Sequence, residues 1–73
     1  MIDKDEIERR FTYHPPVSDE QAAHYVEVRQ TAKNLASLII EVTPESREQS
    51  LAITSLEEVV FWANAAIARR SGQ

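Results

Sequence analysis

Residues 11–16, in the order Phe-Thr-Tyr-His-Pro-Pro, carry the side chains best suited to stacking on a flat ligand. In an extended segment alternate residues share a face, so Phe11 and Tyr13 are predicted to point the same way. A tyrosine ring can stack on a nucleobase while its hydroxyl stays hydrated. Both rings could instead form a hydrophobic latch on the rest of the chain, and His14 could serve with the prolines only to direct the segment. The local sequence leaves these roles open.

Residues 62–69 form a second unusual stretch, in which Trp62, Asn64 and Arg69 stand among alanines. A buried amide needs hydrogen-bond partners, so Asn64 indicates either an interface contact or a ligand contact. Arg69 is also favoured near a helix C-terminus by the helix dipole. A small helical domain needs neither stretch merely to fold. Together they suggest a ligand site built where chains meet.

Two cations lie within the first long helical pattern without a compensating acid between them. Arg29 and Lys33 are four residues apart, which places like charges on one helix face. Most such arginines are solvated, but a pair of this kind also suits an anion such as a phosphate.

Catalytic and metal-binding patterns are missing from the sequence. His14 and His24 are ten residues apart and form no pair spaced for one helical face. Glu57 and Glu58 are adjacent, so on a helix they point in different directions. There is no cysteine and no glycine-rich phosphate loop, because Gly72 is the single glycine. We therefore expect a binding protein without a cofactor rather than an enzyme.

The composition narrows the class further. A net charge of −4 argues against a DNA- or RNA-binding protein, since phosphate backbones require a basic face. The acidity and the long helical patterns also disfavour a helix-turn-helix regulator. Without a signal peptide or an apolar run of about 20 residues, we expect a cytoplasmic protein that does not span a membrane. Seventy-three residues allow one small domain, whose core is marginal without self-association.

Caps and apolar spacing predict two helices. Ser18 and Gln21 fit a capping box in which the Ser18 hydroxyl accepts from the Gln21 amide and Gln21 reaches back to the Ser18 N–H. Pro44 ends the first helix, and either Thr43 or Ser46 caps the second. At heptad-like spacing, the predicted packing seam of the first helix is Tyr25, Val28, Ala32, Leu35, Ile39 and Val42. The predicted seam of the second helix is Ala52, Leu56, Val59, Ala63 and Ala66, with a flanking row of Ile53, Val60 and Ile67.

The expected fold is all-α: an antiparallel two-helix hairpin preceded by a short N-terminal arm, assembling as a homo-oligomer. We predict one domain over residues 1–73, with the arm at 1–17 and helices at about 18–42 and about 44–70. A short turn makes the helices antiparallel. Further apolar residues lie outside both seams, and two facing helices cover only one stripe apiece. Apolar surface is therefore left for a partner subunit.

Residues 10–70 resemble the helical-hairpin domain of phage anti-CBASS and anti-Thoeris nucleotide sponges. The resemblance is carried by residues 11–16 and by three runs: Tyr25-x-x-x-Arg29-x-x-x-Lys33-x-Leu35-Ala36, Pro44-x-Ser46-Arg47-Glu48-x-Ser50-x-Ala52, and Trp62-Ala63-Asn64-Ala65-x-Ile67-Ala68-Arg69.

The resemblance implies a phage counter-defence protein that assembles as a homohexamer and sequesters cyclic nucleotide immune signals without cleaving them. It implies that Tyr13 stacks on a base and that Arg29 meets a phosphate, in symmetry-related pairs across a subunit interface. Larger relatives with additional segments bind cyclic ADP-ribose-type signals, so this shorter chain favours cyclic di- or trinucleotides. The ligand-binding residues expected on this basis are Tyr13, Arg29, Phe11, His14, Lys33, Arg47, Asn64 and Arg69.

A structural interpretation stays open beside this one. The chain could be a helical-hairpin oligomerisation or adaptor module that binds a protein partner through its apolar face. Tyr13 would then be a latch and Arg29 a surface charge. Nucleotide-dependent stabilisation separates the two, because a ligand at about 100 times its Kd stabilises a protein by about 2.7 kcal/mol.

Overall fold

The computed structural model describes residues 2–70, which form three α-helices and no strand. Helix α1 spans Lys4–Phe11, α2 spans Asp19–Val42 and α3 spans Arg47–Arg70. Helices α2 and α3 pack side by side. Because only residues 43–46 connect them, they run antiparallel. The prediction of an all-α chain is confirmed.

Helix α2 begins with a capping box that differs in one contact from the predicted one. Ser18 Oγ accepts from the Gln21 N–H at 3.0 Å, as predicted. The Gln21 side chain, however, accepts from the Val17 N–H at 2.7 Å rather than from that of Ser18. Its Nε2 donates to the Ile67 carbonyl at 3.1 Å, which ties the start of α2 to the end of α3. Within residues 2–70, Gln21 is the one buried residue, at 7% exposure.

Substitution of Gln21 by alanine should destabilise the hairpin. The change removes the hydrogen bonds to the Val17 N–H and the Ile67 carbonyl, which together contribute about 1–3 kcal/mol. In a domain of this size each kcal/mol lowers Tm by about 4–8 °C, measurable by calorimetry. The matched control is Gln30→Ala, which removes an exposed bond to Asn34 and should change Tm little. Equal melting temperatures for Gln21→Ala and the wild type would contradict a stabilising role for the hydrogen bond between Gln21 and Ile67.

The turn between the long helices is held by side chains on both sides. Thr43 ends α2, and its N–H and its hydroxyl both bond the Ile39 carbonyl. Of the two caps that the sequence left open, Ser46 begins α3, since its Oγ accepts from the Gln49 N–H at 3.1 Å. Gln49 Nε2 donates to the carbonyl and to the hydroxyl of Thr43. This turn fixes the direction in which α3 returns along α2.

Helix α3 is rotated slightly from the predicted orientation, and Leu56 and Ala63 of the predicted seam remain on its half-buried face. The row Ala52, Val59 and Ala66 was predicted to pack but is exposed. Ile53, Val60 and Ile67, predicted as the flanking row, are half-buried. Both rows repeat every seven residues, and the row with two isoleucines buries more apolar area than the row with two alanines. The half-buried residues of this packing face on α3 are Ile53, Leu56, Val60, Ala63 and Ile67.

The packing face of α2 is closer to the prediction. Leu35 and Val42 were predicted to lie on it but are exposed, whereas Ala36 takes the position beside Leu35. A small residue at this point lets the two helix backbones approach. The half-buried residues that face α3 are Tyr25, Val28, Ala32, Ala36 and Ile39.

The N-terminal arm is not extended throughout, because α1 occupies Lys4–Phe11. Asp3 caps this helix, with its Oδ1 accepting from the Glu6 N–H at 2.9 Å. The prediction that Phe11 and Tyr13 share one extended segment is therefore wrong: Phe11 is the last residue of a helix, whereas Tyr13 lies in the non-helical segment that follows it. Residues 8–10, in the order Glu-Arg-Arg, are typical in sequence of a solvated turn, but they belong to α1.

Residues 2–70 contain no buried hydrophobic side chain, and 14 large hydrophobic side chains among them are exposed. The accessible surface is 5974 Å², against about 4,600 Å² for a typical monomer of this mass. The radius of gyration is 15.4 Å, against about 11 Å for a compact chain of this length. The single chain is thus an open hairpin whose apolar residues lack a covering layer.

Helix α3 also has the length and composition of a membrane span, with a mean hydropathy of 1.3 over its most apolar window. The sequence-based expectation that no segment is apolar enough to span a membrane does not hold for this helix. Glu57 and Glu58 lie near its middle, where ionised groups in hydrocarbon are costly. We therefore attribute its apolar character to packing between helices.

Candidate functional site

A cavity of about 370 Å³ opens where the segment after α1 passes the end of the hairpin. Among residues 2–70 its lining provides three aromatic rings, an imidazole, an amide and two guanidinium groups, and no carboxylate. Aromatic faces stack on bases and guanidinium groups bind phosphates, so this lining suits a nucleotide. The side chains with these groups are Arg10, Tyr13, His14, Tyr25, Phe61, Asn64 and Arg69.

Four of the eight residues predicted to bind ligand line this one cavity. The antiparallel hairpin brings them together, because it places the C-terminal turns of α3 beside the start of α2 and beside residues 12–17. Their role as ligand contacts remains a prediction. These four residues are Tyr13, His14, Asn64 and Arg69.

The two aromatic residues of the predicted stacking pair are both exposed and lie apart. Tyr13 is 82% exposed at the edge of the cavity, and Phe11 is 80% exposed and does not line it. Neither ring covers the hairpin, so the latch interpretation is wrong for the single chain. An exposed tyrosine beside two cations is free to stack on an incoming ring.

His14 is half-buried and holds the segment in place. Its Nε2 lies 2.8 Å from the carbonyl oxygen of Arg9. A carbonyl only accepts, so this nitrogen donates its proton to it. Arg9 belongs to the last turn of α1, where carbonyls have no partner within the helix. His14 thus caps α1 and directs residues 12–17 past the cavity, whatever contact its ring makes with a ligand.

The side-chain oxygen of Asn64 lacks a hydrogen-bond partner within residues 2–70. This atom, Oδ1, is buried, and no donor in the described residues reaches it. Most buried polar atoms are hydrogen-bonded, and a buried acceptor left without a donor costs about 1–3 kcal/mol. The atom indicates a donor from outside the single chain. A ligand and a second subunit are the two sources that the sequence left open.

The other predicted cations do not line the cavity. Arg29 follows Tyr25 by four residues, which makes the two neighbours on one face of α2, but Arg29 stays outside the lining. Lys33 borders a separate groove. Arg47 begins α3, about 33 Å along the helix from Arg69. A single chain therefore cannot join all eight predicted residues into one site.

Comparison with known proteins assigns the chain to a family. Residues 3–68 match the family model described as "Acb2/Tad1, hairpin domain". The chain belongs to this family. Its members are the anti-CBASS and anti-Thoeris cyclic nucleotide sponges, so the resemblance found in the sequence is confirmed. Searches of the curated proteins and of the solved structures gave no significant match.

Membership of the Acb2/Tad1 hairpin family carries a general function. The family implies phage anti-defence by sequestration of cyclic nucleotides, with binding of cyclic oligonucleotides and oligomerisation. Its proteins are binding proteins of the sponge type. A cavity that offers rings and cations to a ligand fits this family function. In the described part of the chain, no three His, Asp or Glu side chains come together to hold a metal ion.

Three lining residues of the cavity were not predicted to bind ligand. From the sequence, Tyr25 was assigned to the packing seam of the first helix. Phe61 is one of the apolar residues outside both predicted seams, and Arg10 was interpreted as part of a turn. The spacing of Phe61, Asn64 and Arg69 in α3 gave a partial signal, because residues three to five apart can share a helix flank. Arg10 gave none, since its position depends on α1.

Proposed function

We propose that this protein is a phage counter-defence protein that acts in the cytoplasm of the infected bacterial host. It binds cyclic di- or trinucleotides and holds them without cleaving them. The observation that carries the proposal is the cavity of three aromatic rings and two guanidinium groups, in a member of a cyclic nucleotide sponge family. Tyr13 stacks on a base at the cavity edge, and arginines bind the phosphates.

The overall acidity of the chain is compatible with an anionic ligand because the cations are unevenly placed. Four of the eight Lys and Arg residues lie in the last turns of α1 and α3, and two of these four, Arg10 and Arg69, line the cavity. Charge-assisted hydrogen bonds act over short distances, and salt screens charges farther away than about 10 Å. Local placement therefore outweighs the net charge of −4. The four residues are Arg9, Arg10, Arg69 and Arg70.

We further propose that the protein works as a homo-oligomer, a homohexamer by analogy with the sponges it resembles. The chain exposes about 1,400 Å² more surface than a typical monomer of its mass. A specific interface buries about 800 Å² on each partner, so the surplus of one chain exceeds what a single interface of standard size would remove and is compatible with contacts to more than one neighbour. An assembly would also bring Arg29 of one subunit toward the cavity of another, which the single chain does not do.

Cyclic nucleotides should raise the melting temperature of the protein and should be recovered intact. The test is a melting screen against cyclic di-AMP, cyclic di-GMP, cyclic GMP-AMP and cyclic tri-AMP. A ligand at about 100 times its Kd should stabilise the fold by about 2.7 kcal/mol. Heat denaturation of the complex followed by chromatography should return the cyclic form, because the sequence predicts a binding protein without a catalytic pattern.

Two results would overturn the proposal in different ways. Linear product in proportion to protein would indicate a phosphodiesterase instead of a sponge. No stabilisation by any of the four nucleotides, with an intact oligomer, would favour the adaptor module. Linear dinucleotides of the same base composition serve as the control, since they share charge and bases but not the ring closure.

A further inference from the structure

The first helix is tied to the last by a single carboxylate. Glu6 accepts from Arg9 Nη1 at 2.8 Å and from Arg10 Nε at 2.9 Å, both within α1. It also lies 3.6 Å from Arg70 Nη2, at the end of α3. Helix α1 has no buried residue of its own. Among the ion pairs within residues 2–70, the one between Glu6 and Arg70 joins α1 to the hairpin.

Glu6 stays ionised, and the cluster around it stays basic. The hydrogen bond from Arg10 lowers the pKa of the Glu6 carboxyl, and the charges of Arg10, Arg70 and Arg9 lower it further against the opposing effect of burial. One negative charge faces three positive ones in this cluster. The surplus of positive charge is available to an anion at the neighbouring cavity.

Arg10 and Arg9 share Glu6 but face different surroundings. Arg10 lines the cavity that holds Tyr13 and Arg69. Arg9 lines a neighbouring depression with Asp5 and Glu8 and does not line the cavity of Arg10. Glu6 engages Arg10 through Nε, and neither Nη of Arg10 has a hydrogen bond to the described residues. The guanidinium is held from one edge, and its Nη donors remain for another acceptor.

We propose that Arg10 is an anion-binding residue of the cavity, and that Glu6 positions its guanidinium for the phosphate of a nucleotide whose base stacks on Tyr13. The inference rests on the proposed function and adds α1 to the binding site. Arg10 approaches the phosphate from α1, and Arg69 approaches from α3. Glu6 pairs with Arg10 on α1 and with Arg70 on α3, so it links the helices that carry the two lining arginines.

The matched pair Arg10→Ala and Arg9→Ala tests the contact. Each variant removes one arginine from α1 and one ion pair to Glu6, but only Arg10 faces the cavity. Titration calorimetry with cyclic di-AMP, cyclic di-GMP, cyclic GMP-AMP and cyclic tri-AMP should show Arg10→Ala weakened at least about tenfold for those that the wild type binds. Arg9→Ala should stay within about threefold, and Arg10→Lys should recover part of the loss.

Glu6→Gln tests positioning, with Asp5→Asn as the matched control. Both changes remove one carboxylate from the first turn of α1, but Asp5 makes no ion pair within residues 2–70. Glu6→Gln should weaken binding several-fold in the wild type and have no further effect in the Arg10→Ala background, because it acts through Arg10. A merely structural role would give the same loss in both backgrounds.

The outcomes separate this inference from the proposed function. Wild-type affinity in Arg10→Ala would overturn the assignment of Arg10 while leaving nucleotide binding intact. Losses by Glu6→Gln and Arg10→Ala that simply add would overturn the positioning role of Glu6. A wild type that binds none of the four nucleotides would overturn the inference together with the proposed function.

Discussion

An aspartate in place of Val59 is expected to break the oligomer into single chains of 8.3 kDa while each hairpin still forms. Val59 is 60% exposed in the single chain. It borders an apolar groove of about 390 Å³ that also contains Val28, Leu35 and Leu56. A carboxylate there stays hydrated in a monomer but would be buried without a partner in an interface, at a cost of several kcal/mol per subunit. Light scattering at tens of micromolar measures the change.

Two other substitutions in α3 give this prediction its controls. Thr54→Asp adds the same charge at an exposed position outside the groove and should leave the assembly intact. Ala63→Asp places the charge on the half-buried face toward α2 and should unfold the hairpin itself, seen by circular dichroism. A wild-type protein that scatters as a monomer would refute association. A Val59→Asp protein that keeps its assembled mass would show that the groove is not the interface.

The hairpin could be predicted from the sequence because its signals are local. The Ser18 hydroxyl caps the start of α2 by accepting a hydrogen bond from the N–H of Gln21, and Pro44 prevents α2 from continuing beyond Val42. Each signal lies within a few residues of what it specifies. The apolar spacing then shows that both helices need a packing partner, and the short turn makes them partners of each other.

The rotation of α3 could not be predicted in the same way. Two neighbouring rows on this helix are apolar and repeat every seven residues, one through Val59 and one through Val60. Periodicity identifies both and does not rank them. The choice depends on how side-chain volumes from α2 and α3 fit together, and on which row is kept for another subunit. Neither quantity is local to α3.

Helix α1 was not predicted from the sequence, and the reason is a different one. It has eight residues, and Ile7 is the single apolar residue between its ends. No apolar stripe marks it, so the pattern was typical of a solvated turn. Its support comes instead from the Asp3 cap and from Glu6, which pairs with arginines three and four residues later. Such pairs stabilise a helix weakly and also occur in turns.

The candidate site was predictable only in part. The sequence marked Tyr13 and Asn64 because their chemistry is unusual for a small helical domain, and the antiparallel fold brings both to one cavity. Arg29 was marked through the family resemblance and lies outside that cavity. Positions that contact ligand across subunits cannot be ranked from one chain, because the distances that matter join different copies. The buried Oδ1 of Asn64 has no hydrogen-bond partner within the described residues, and it is the atom that most clearly indicates a donor from outside the single chain.

Tyr13→Ala is expected to weaken cyclic nucleotide binding by about 1–3 kcal/mol for each stacked base, whereas Tyr13→Phe should be mild because it keeps the ring. The melting temperature without ligand should not change, since the side chain is 82% exposed and supports nothing in the hairpin. Phe11→Ala is the matched comparison: it removes an equally exposed ring that does not line the cavity, and it should cost less affinity. Calorimetric titration, with melting curves recorded in parallel, measures both quantities.

Arg29 belongs to the same prediction, because a nucleotide whose base stacks on Tyr13 also needs a partner for its phosphate. Arg29→Ala should weaken binding by about 1.5–3 kcal/mol, and Arg29→Lys by less, since lysine keeps the charge and loses the planar fork. Neither change should alter the mass of the assembly. If Arg29 acts from a neighbouring subunit, its effect should vanish in the Val59→Asp background, where the subunits are separate. Wild-type affinity in both Tyr13→Ala and Arg29→Ala would refute these contacts even for a protein that binds nucleotides. A lower Tm for ligand-free Tyr13→Ala would instead indicate that Tyr13 stabilises the assembly, as the adaptor interpretation requires.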